Sequence, residues 1–267
     1  MIHQSAIVYP GAQIAPDVEI GPFTVIGPKA KIGPKVKIGN SCLIDGDTVI
    51  GSGCVIYTGA IIGSPPQDLK YKGEDTKLVI GENNIIREYT TINLGTIESG
   101  VTSVGNNNLI MAYSHIAHDC VVGDNCVLAN CATLAGHVKI EDRVVIGGLT
   151  AIHQFTRVGK MSIIGGCSKV VQDIPPFSTC DGHPAKVYGL NLVGLRRAQV
   201  SNQAVANLKS AFKDLFFSGL TKSNAINKVK ETLTQSPEIA YLLDFLSSSH
   251  RGITKSSQAQ ENLSAGQ

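Results

Sequence analysis

Apolar residues recur at every sixth position over the first 170 residues. Stepping by six from Ile2 to Val170 visits 29 positions, and 26 of them hold Ile, Val or Leu. A chain with 43% hydrophobic residues would place about 12 hydrophobic residues of any kind at these positions by chance. An α-helix would spread residues six apart about 120° around its axis, so this spacing excludes a helical face. The period predicts a repeat of short extended segments.

Glycine directly follows many of these aliphatic residues, as in Ile20-Gly21 and Ile26-Gly27, and suits a turn after each segment. Three segments of six residues make a three-sided coil of about eighteen residues, and successive coils stack as parallel strands about 4.8 Å apart. The predicted fold class is therefore mainly β, a parallel β-helix built on a hexapeptide repeat. Asp68, Glu74 and Glu98 interrupt the period, which predicts loops ejected from the coil at 64–78 and 94–103.

The pattern changes to helical spacing at about residue 190, with Ser201 as a suitable N-cap. We therefore expect the β-helix to occupy residues 1–189 and a helical domain to occupy 190–250. Residues 251–267 are polar and have little to bury, so we expect a disordered tail there, with no assigned function.

Charge and composition exclude several partners. The chain has 23 basic and 21 acidic residues, and a net charge of +2 does not favour nucleic acid or general attraction to a membrane surface. It has no signal-peptide pattern at its start and no apolar run long enough to span a bilayer. We expect a soluble, cytoplasmic protein without stable membrane insertion. The seven cysteines are interpreted as reduced, mainly as small core residues.

Adding eighteen to a residue number predicts its neighbour on the next coil. His118 should lie beside Gly136 and then Gln154, and Asp119 beside His137. Imidazole titrates near neutral pH, so His118 is the best candidate for a general base. The Gly136 N–H could stabilise an oxyanion. Asp119 could orient His118 if a turn brings it around, and pairing with His137 is equally consistent with the spacing.

Other interpretations of these residues stay open at this point. The four histidines at 115, 118, 137 and 153 could be surface residues, or they could bind zinc at a subunit interface as in γ-class carbonic anhydrases. The loop around Asp68 and Lys70 suits sugar hydroxyls and phosphates, although a solvated loop would look alike. Arg196-Arg197 could meet a phosphate or form an ordinary charged surface.

Several motifs resemble one family. They are His115-Ile116-Ala117-His118-Asp119-Cys120, Leu134-Ala135-Gly136-His137-Val138, His153-Gln154-Phe155, Gln67-Asp68-Leu69-Lys70-Tyr71, Gly165-Gly166-Cys167-Ser168 and Gly194-Leu195-Arg196-Arg197. They are similar to motifs of the UDP-N-acetylglucosamine O-acyltransferases of lipid A biosynthesis, and the resemblance spans residues 1–250. It implies a left-handed coil and a cytoplasmic homotrimer with active sites between subunits. It implies neither a metal nor another cofactor.

The resemblance also implies a reaction, the first step of lipid A biosynthesis. An (R)-3-hydroxyacyl group would move from acyl carrier protein, a substrate with its phosphopantetheine arm, to the 3-hydroxyl of UDP-N-acetylglucosamine. The implied catalytic residues are His118 as base, Gly136 as oxyanion donor, and Asp119. Gly166 would set acyl length and favour longer chains.

The implied substrate-binding residues are Gln67, Asp68, Lys70, His115, His137, His153, Gln154, Asn191 and Arg197.

Two positions depart from the family pattern. Leu94 stands where we expect arginine, and Gly182-His183-Pro184-Ala185 lacks the expected Asn-His order.

The sister N-acyltransferase of the same pathway would carry an extra N-terminal domain, whereas this repeat begins at Ile2. A zinc hydratase would not need the helical domain, and a non-catalytic scaffold would not need histidines beside a glycine.

Overall fold

The computed structural model describes residues 1–233 and 236–257. Its main body is a three-sided parallel β-helix, in which strand n pairs with strand n+3 from β1 to β25. Sheet 1 contains β1 (Ile7–Val8), β4 (Val25–Ile26), β7 (Leu43–Ile44), β10 (Ile61–Ser64), β13 (Thr91–Asn93), β16 (His115–Ile116), β19 (Thr133–Leu134), β22 (Ala151–Ile152) and β25 (Lys169–Val170).

The other two sides of the coil follow the same pattern. Sheet 2 contains β2 (Gln13–Ile14), β5 (Lys31–Ile32), β8 (Asp47–Ile50), β11 (Lys77–Ile80), β14 (Val101–Val104), β17 (Val121–Val122), β20 (Lys139–Ile140) and β23 (Arg157–Val158). Sheet 3 contains β3 (Glu19–Ile20), β6 (Lys37–Ile38), β9 (Val55–Ile56), β12 (Ile85–Ile86), β15 (Leu109–Ile110), β18 (Val127–Leu128), β21 (Val145–Ile146), β24 (Ile163–Ile164), β26 (Ser178–Gly182) and β27 (Ala185–Leu190). The predicted parallel β-helix is confirmed.

The six-residue ladder forms the core. Ile26, Ile62 and Ile116 are fully buried, as are most of their counterparts on other coils. The residue two positions before most ladder residues is also buried and is usually a smaller residue such as Ala, Cys, Ser, Thr or Val. Thr24 fills such a position, and its hydroxyl donates to the Gly39 carbonyl at 2.7 Å. All seven cysteines are free thiols, and burial raises the pKa of Cys120 to about 12.

Both ejected loops are shorter than the sequence predicts. The first occupies residues 65–76, between β10 and β11, and the second 94–100, between β13 and β14. The difference arises because β11 is four residues long and pairs over its whole length with both β8 and β14. Backbone hydrogen bonds therefore restart the coil before the aliphatic period resumes.

The coil ends in a hairpin of β26 and β27, so Leu190 is still in a strand. Four helices follow: α1 (Leu192–Arg197), α2 (Asn202–Phe216), α3 (Lys222–Thr232) and α4 (Pro237–Ser247). Ser201 caps α2 as predicted, since its hydroxyl accepts the Ala204 N–H. The α4 helix packs on the coil through Arg157, whose guanidinium lies 4.3 Å from the Phe245 ring centroid. In the described part of the chain, every helix is too short or too polar to cross a bilayer.

The predicted disorder of the tail is wrong for residues 251–257. Ile253 forms a parallel bridge with Asp173, Ser256 forms one with Val187, and Thr254 is buried. The segment is held mainly by backbone hydrogen bonds, which a polar sequence makes as well as an apolar one. The rest of the predicted tail, 258–267, lies outside the described residues.

The neighbours Ile85 and Ile86 of β12 test the ladder, because Ile86 is fully buried and Ile85 is 41% exposed. Ile86→Ala leaves a cavity in a close-packed column, so we expect the free energy of unfolding to fall by about 2–5 kcal/mol. Urea titration followed by circular dichroism measures it. Ile85→Ala is the matched control, and an equal loss in both variants would contradict an inward-facing ladder.

Candidate functional site

Most of the predicted site residues lie along one edge of the coil, where sheet 1 passes into sheet 2. We call this the polar edge and define it by the turns that follow β10, β13, β16, β19 and β22. The β16 turn holds His118 and Asp119, the β19 turn Gly136 and His137, and the β22 turn His153 and Gln154. Hydrogen bonds join successive turns, since the His137 N–H donates to the His118 carbonyl at 3.1 Å. The predicted coil neighbours are confirmed.

His118 and Asp119 form a hydrogen-bonded pair. His118 Nδ1 lies 2.8 Å from Asp119 Oδ2, and the Asp119 side chain is completely buried. Adjacent residues of a strand would point to opposite sides, but Asp119 has φ +60°, a left-handed turn conformation that Asp tolerates. An ionised carboxylate only accepts, so Nδ1 of His118 carries the proton and Nε2 is left as the basic nitrogen.

Loop 94–100 surrounds the Asp119 carboxylate with donors. Oδ2 accepts the Thr96 hydroxyl at 2.6 Å, and Oδ1 accepts the Thr96 N–H at 2.8 Å and the Ser99 hydroxyl. Burial alone would raise the pKa of Asp119, but the hydrogen bonds from Ser99, Thr96 and His118 outweigh it and hold the pKa below its ordinary value. Sequence reasoning missed Thr96 and Ser99, because no period places an ejected loop against the coil.

His137 contacts the same carboxylate from the next coil. Its Nε2 lies 3.5 Å from Asp119 Oδ2 and 3.3 Å from Glu98 Oε2, so both pairings considered for Asp119 occur together. The His137 ring stacks on Phe155, with centroids 4.4 Å apart, and meets the His118 ring edge-on at 5.1 Å. Glu98 and Phe155 are further members of the cluster, for which the sequence analysis predicts no role at the site.

Gly136 lies directly against the His118 ring. A Cβ added at Gly136 would lie 2.5 Å from His118 Cε1 and 2.6 Å from Nε2. Any side chain would therefore displace the imidazole or rotate it away from Asp119. The glycine leaves the Nε2 face of His118 open beside a backbone N–H.

His115 lies on β16 rather than in the turn. Its Nδ1 is 2.7 Å from the Thr91 hydroxyl of the preceding coil. Burial, with a smaller contribution from the charge of His118, lowers the pKa of His115 and favours the neutral imidazole. A neutral ring bonded at Nδ1 can present Nε2 to a ligand as a single donor or acceptor.

Loop 65–76 leaves the polar edge two coils before His118, a distance of about 10 Å along the axis. Gln67 and Lys70 are exposed and Asp68 is half-buried. Asp68 Oδ1 accepts the Lys70 N–H at 2.9 Å, which leaves Oδ2 for another partner. Leu94, which replaces an expected arginine, is buried, and its methyl groups fill the space over Gly46.

Three predicted residues lie away from the polar edge. Gly166 is in the turn from sheet 3 to sheet 1, between β24 and β25. Asn191 and Arg197 follow β27 of sheet 3. Asn191 caps α1 by accepting the Gly194 N–H at 2.9 Å and donates to the Met161 carbonyl at 2.8 Å. Arg197 is exposed and has no ion-pair partner among residues 1–233 and 236–257.

The exposed His153 has a neighbour that the sequence did not predict. Arg251 Nη2 lies 3.1 Å from His153 Nδ1, although the two residues are far apart in the sequence. The contact exists because residues 251–257 fold back along the coil. No periodic signal links a tail to a solenoid turn.

Thr96→Val tests the hydrogen bonds that hold Asp119. We expect the pKa of Asp119 to rise and the free energy of unfolding at pH 7 to fall by about 1–3 kcal/mol. Because the folded-state pKa is lowered, the ionised carboxylate stabilises the fold above about pH 4, its unfolded value, and this contribution is lost as the pH falls through the folded pKa. The difference between variant and wild type should therefore shrink below about pH 4.

Urea titrations between pH 7 and pH 3 measure this difference. Thr156→Val is the matched control, because the Thr156 hydroxyl is buried and has no hydrogen-bond partner among the described residues. It should cost little at any pH. A constant difference between Thr96→Val and wild type across the range would contradict the assigned role of Asp119.

Models of three sequence families match parts of the chain. Residues 173–254 match domain 2 of UDP-N-acetylglucosamine O-acyltransferase, and residues 102–136 match the bacterial transferase hexapeptide repeat. Residues 1–98 match the GMPPB C-terminal domain. A curated relative from Nautilia profundicola, named acyl-[acyl-carrier-protein]–UDP-N-acetylglucosamine O-acyltransferase, is 50% identical over 194 residues, which are 72% of this chain and 74% of the relative.

Solved structures agree with the sequence relatives. The UDP-N-acetylglucosamine acyltransferase of Francisella novicida is 38% identical and superposes with a TM-score of 0.93, covering 96% of this chain and 95% of that one. The Bacteroides fragilis enzyme is 42% identical with a TM-score of 0.94 and coverage of 96% and 100%. Such scores require the same hand of coiling, so this chain shares the left-handed coil of the family. The chain therefore belongs to the UDP-N-acetylglucosamine O-acyltransferase family and is an acyltransferase.

Proposed function

We propose that this enzyme transfers an (R)-3-hydroxyacyl group from acyl carrier protein to the 3-hydroxyl of UDP-N-acetylglucosamine, the first step of lipid A biosynthesis. The relatives are named for an acyl-carrier-protein donor and this sugar nucleotide. The observation that carries the proposal is the arrangement of His118, which is bonded to a buried carboxylate at Nδ1 and faces a glycine at Nε2. We also propose that the enzyme is cytoplasmic, as the resemblance to the family implies.

His118 acts as the general base. Nε2 removes the proton of the sugar hydroxyl as its oxygen attacks the thioester carbonyl carbon. Asp119 holds the imidazole in the tautomer that leaves Nε2 free, and its negative charge stabilises the imidazolium that forms. The lowered pKa of Asp119 supports this role, because the carboxylate stays ionised throughout.

Gly136 N–H stabilises the oxyanion of the tetrahedral intermediate. Among the described residues, this N–H donates to no acceptor, unlike the neighbouring Ala135 and His137 N–H groups. Proline occupies the equivalent turn position on earlier coils, at Pro10 and Pro28, which shows that the coil needs no hydrogen bond from this nitrogen. The N–H beside His118 is therefore available for a substrate oxygen.

Collapse of the intermediate completes the transfer. The C–O bond to the sugar has formed, the C–S bond of the thioester breaks, and the imidazolium of His118 gives its proton to the departing pantetheine sulfur. One proton thus moves from hydroxyl to thiol through Nε2, and no oxidant or reductant is needed. This balance supports a reaction with no cofactor.

The proposed site combines residues from more than one copy of the chain. Asp68, Lys70, His118 and the β22 turn share the polar edge, whereas Gly166 lies on another edge of the coil and Arg197 lies at the end of α1. We place a substrate that touches both groups between neighbouring chains. We therefore propose a homotrimer with active sites between its subunits, in which the predicted binding residues hold the sugar nucleotide and the pantetheine arm.

An exposed apolar column supports contact between copies. The turns from sheet 3 to sheet 1 present aromatic and aliphatic side chains to solvent, with Tyr89 and Tyr113 stacked 5.2 Å apart. Exposed hydrophobic surface of this kind marks interaction sites. Its large members are Phe23, Tyr89, Tyr113 and Leu149.

A metal is the rival interpretation of the same cluster, since ligand atoms of His118, Asp119 and His137 lie within 4.8 Å of one another. The hydrogen bonding of Asp119 favours the metal-free reaction. Both of its oxygens already accept donors from Thr96 and Ser99, and Nδ1 of His118 is committed to it. To bind a metal, the Asp119 carboxylate would have to give up hydrogen bonds from Thr96, Ser99 or His118.

His118→Ala tests the proposed base. We expect kcat for transfer from (R)-3-hydroxyacyl-acyl carrier protein to UDP-N-acetylglucosamine to fall by about 10²–10⁴-fold. The assay runs with a metal chelator present and detects O-acylated product by mass spectrometry. The variant should keep the mass of the wild-type trimer by light scattering, since a turn imidazole adds little to the aliphatic core.

His3→Ala is the control, because His3 is an exposed histidine near the other end of the coil. Near-normal turnover by His118→Ala would refute the mechanism. Chelator-sensitive activity in the wild type would favour the metal enzyme, and no product with any acyl donor would refute the proposed reaction.

Gly166→Met tests the proposed acyl-length residue. A Cβ at Gly166 would lie 3.2 Å from the Gly148 carbonyl oxygen and 3.8 Å from the Gly148 nitrogen, so a shift of a few tenths of an ångström lets the turn carry a side chain that shortens an acyl groove. We expect the preferred donor to shift to a shorter chain, as measured by kcat/KM across a series of acyl lengths. Lys169→Met, at an exposed position on β25, is the control. An unchanged preference would contradict this role.

A further inference from the structure

The segment 249–256, which we call the C-terminal strap, is fastened to the coil mainly at the buried Asp173, and the Val187 N–H holds its end by donating to the Lys255 carbonyl. Asp173 is 1% exposed and makes four hydrogen bonds. Its N–H donates to the Gly252 carbonyl at 2.8 Å, and its carbonyl accepts the Thr254 N–H at 2.9 Å. Its carboxylate accepts the Ser249 hydroxyl at 2.7 Å and the Arg157 N–H at 2.9 Å. The strap therefore has a defined position on the coil, beside the turn that follows β25.

The strap brings Arg251 to His153. Arg251 lies between Ser249 and Gly252, which are both bonded to Asp173. Its Nη2 is 3.1 Å from His153 Nδ1 and 3.4 Å from the Val171 carbonyl oxygen. The Gln154 carbonyl also lies 3.3 Å from His153 Nδ1. The imidazole therefore has two competing partners at one nitrogen.

Chemistry decides between these partners. A guanidinium has donors only and cannot lose its proton in proteins, so Nδ1 must accept whenever the Arg251 contact is made. A hydrogen bond to the Gln154 carbonyl would need a proton on Nδ1 and would put two hydrogens between Nδ1 and Nη2. The shorter, charge-assisted contact is the stronger of the two.

We propose that Arg251 is a positioning residue that holds His153 as the neutral Nε2–H tautomer. His153 then offers a hydrogen-bond donor at the polar edge, suited to a carbonyl or phosphate oxygen of a bound substrate. The inference rests on the proposed function, in which His153 binds substrate. It adds that a segment remote in sequence prepares this residue for binding.

Histidine-selective ¹⁵N NMR reads the tautomer directly in the full-length protein, with His153→Gln identifying the signal. In the wild type, His153 should show a protonated Nε2 and an unprotonated Nδ1. In Arg251→Ala, the two nitrogens should move toward a mixture of tautomers. A protonated Nδ1 in the wild type, or identical spectra in both proteins, would overturn the assignment. This measurement does not depend on the reaction.

Kinetics tests whether Arg251 acts through His153. Arg251→Ala should raise KM for UDP-N-acetylglucosamine or for the acyl donor by about threefold to tenfold, the effect of one hydrogen bond, with a smaller change in kcat. In a His153→Ala background, the same substitution should change KM by less than about twofold. An equal effect in both backgrounds would show that Arg251 contacts substrate itself and would refute the positioning role.

Lys255→Ala is the control for the strap, because it removes an exposed cation from the same segment without touching His153. It should leave KM unchanged. Arg251→Lys should keep the melting temperature and restore only part of the KM effect, since a lysine donates without the fixed geometry of the guanidinium. A wild type with no transferase activity would refute the proposed function, while the NMR result would still decide the tautomer.

Discussion

The register between successive coils is the constraint on which the rest of the molecule depends. Parallel strands pair residue by residue, as in His115 with Thr133 and Ile116 with Leu134. The aliphatic ladder sets this register, because a shift of one residue would turn every buried side chain outward. The same register puts Gly136 against His118 and His137 against Asp119. A property of the hydrophobic core therefore determines the geometry of the site.

Sequence reasoning was most accurate where the coil has constant length. From β14 to β25 every coil has eighteen residues, so adding eighteen identified the neighbours of His118 and Asp119. It failed where the chain leaves the coil. Thr96 and Ser99 reach Asp119 from an ejected loop whose path depends on contacts that no period encodes. The sequence shows that Asp119 needs a turn to reach His118, but it does not predict that the turn is present.

The end of the chain shows a second limit. Composition suggested disorder for residues 251–257 because they offer little apolar surface, yet they are held by hydrogen bonds to Asp173 and Val187. Asn191 shows the converse, since the resemblance implies a nucleotide contact whereas its side chain caps α1. A cap and a ligand contact can share one amide, because one hydrogen of the Asn191 amide has no acceptor among the residues that the structure describes.

The constant rise of the coil gives the polar edge a fixed unit of length. The turns after β10 and β22 are four coils apart, which is about 19 Å at one strand spacing per coil. Groups on the coil turns of this edge therefore meet an extended substrate at intervals of that spacing. Exchanging side chains between equivalent turns would move a contact by whole steps without rebuilding the backbone. Substrates of different length can be accommodated on this scaffold by changing which coil turn carries each side chain.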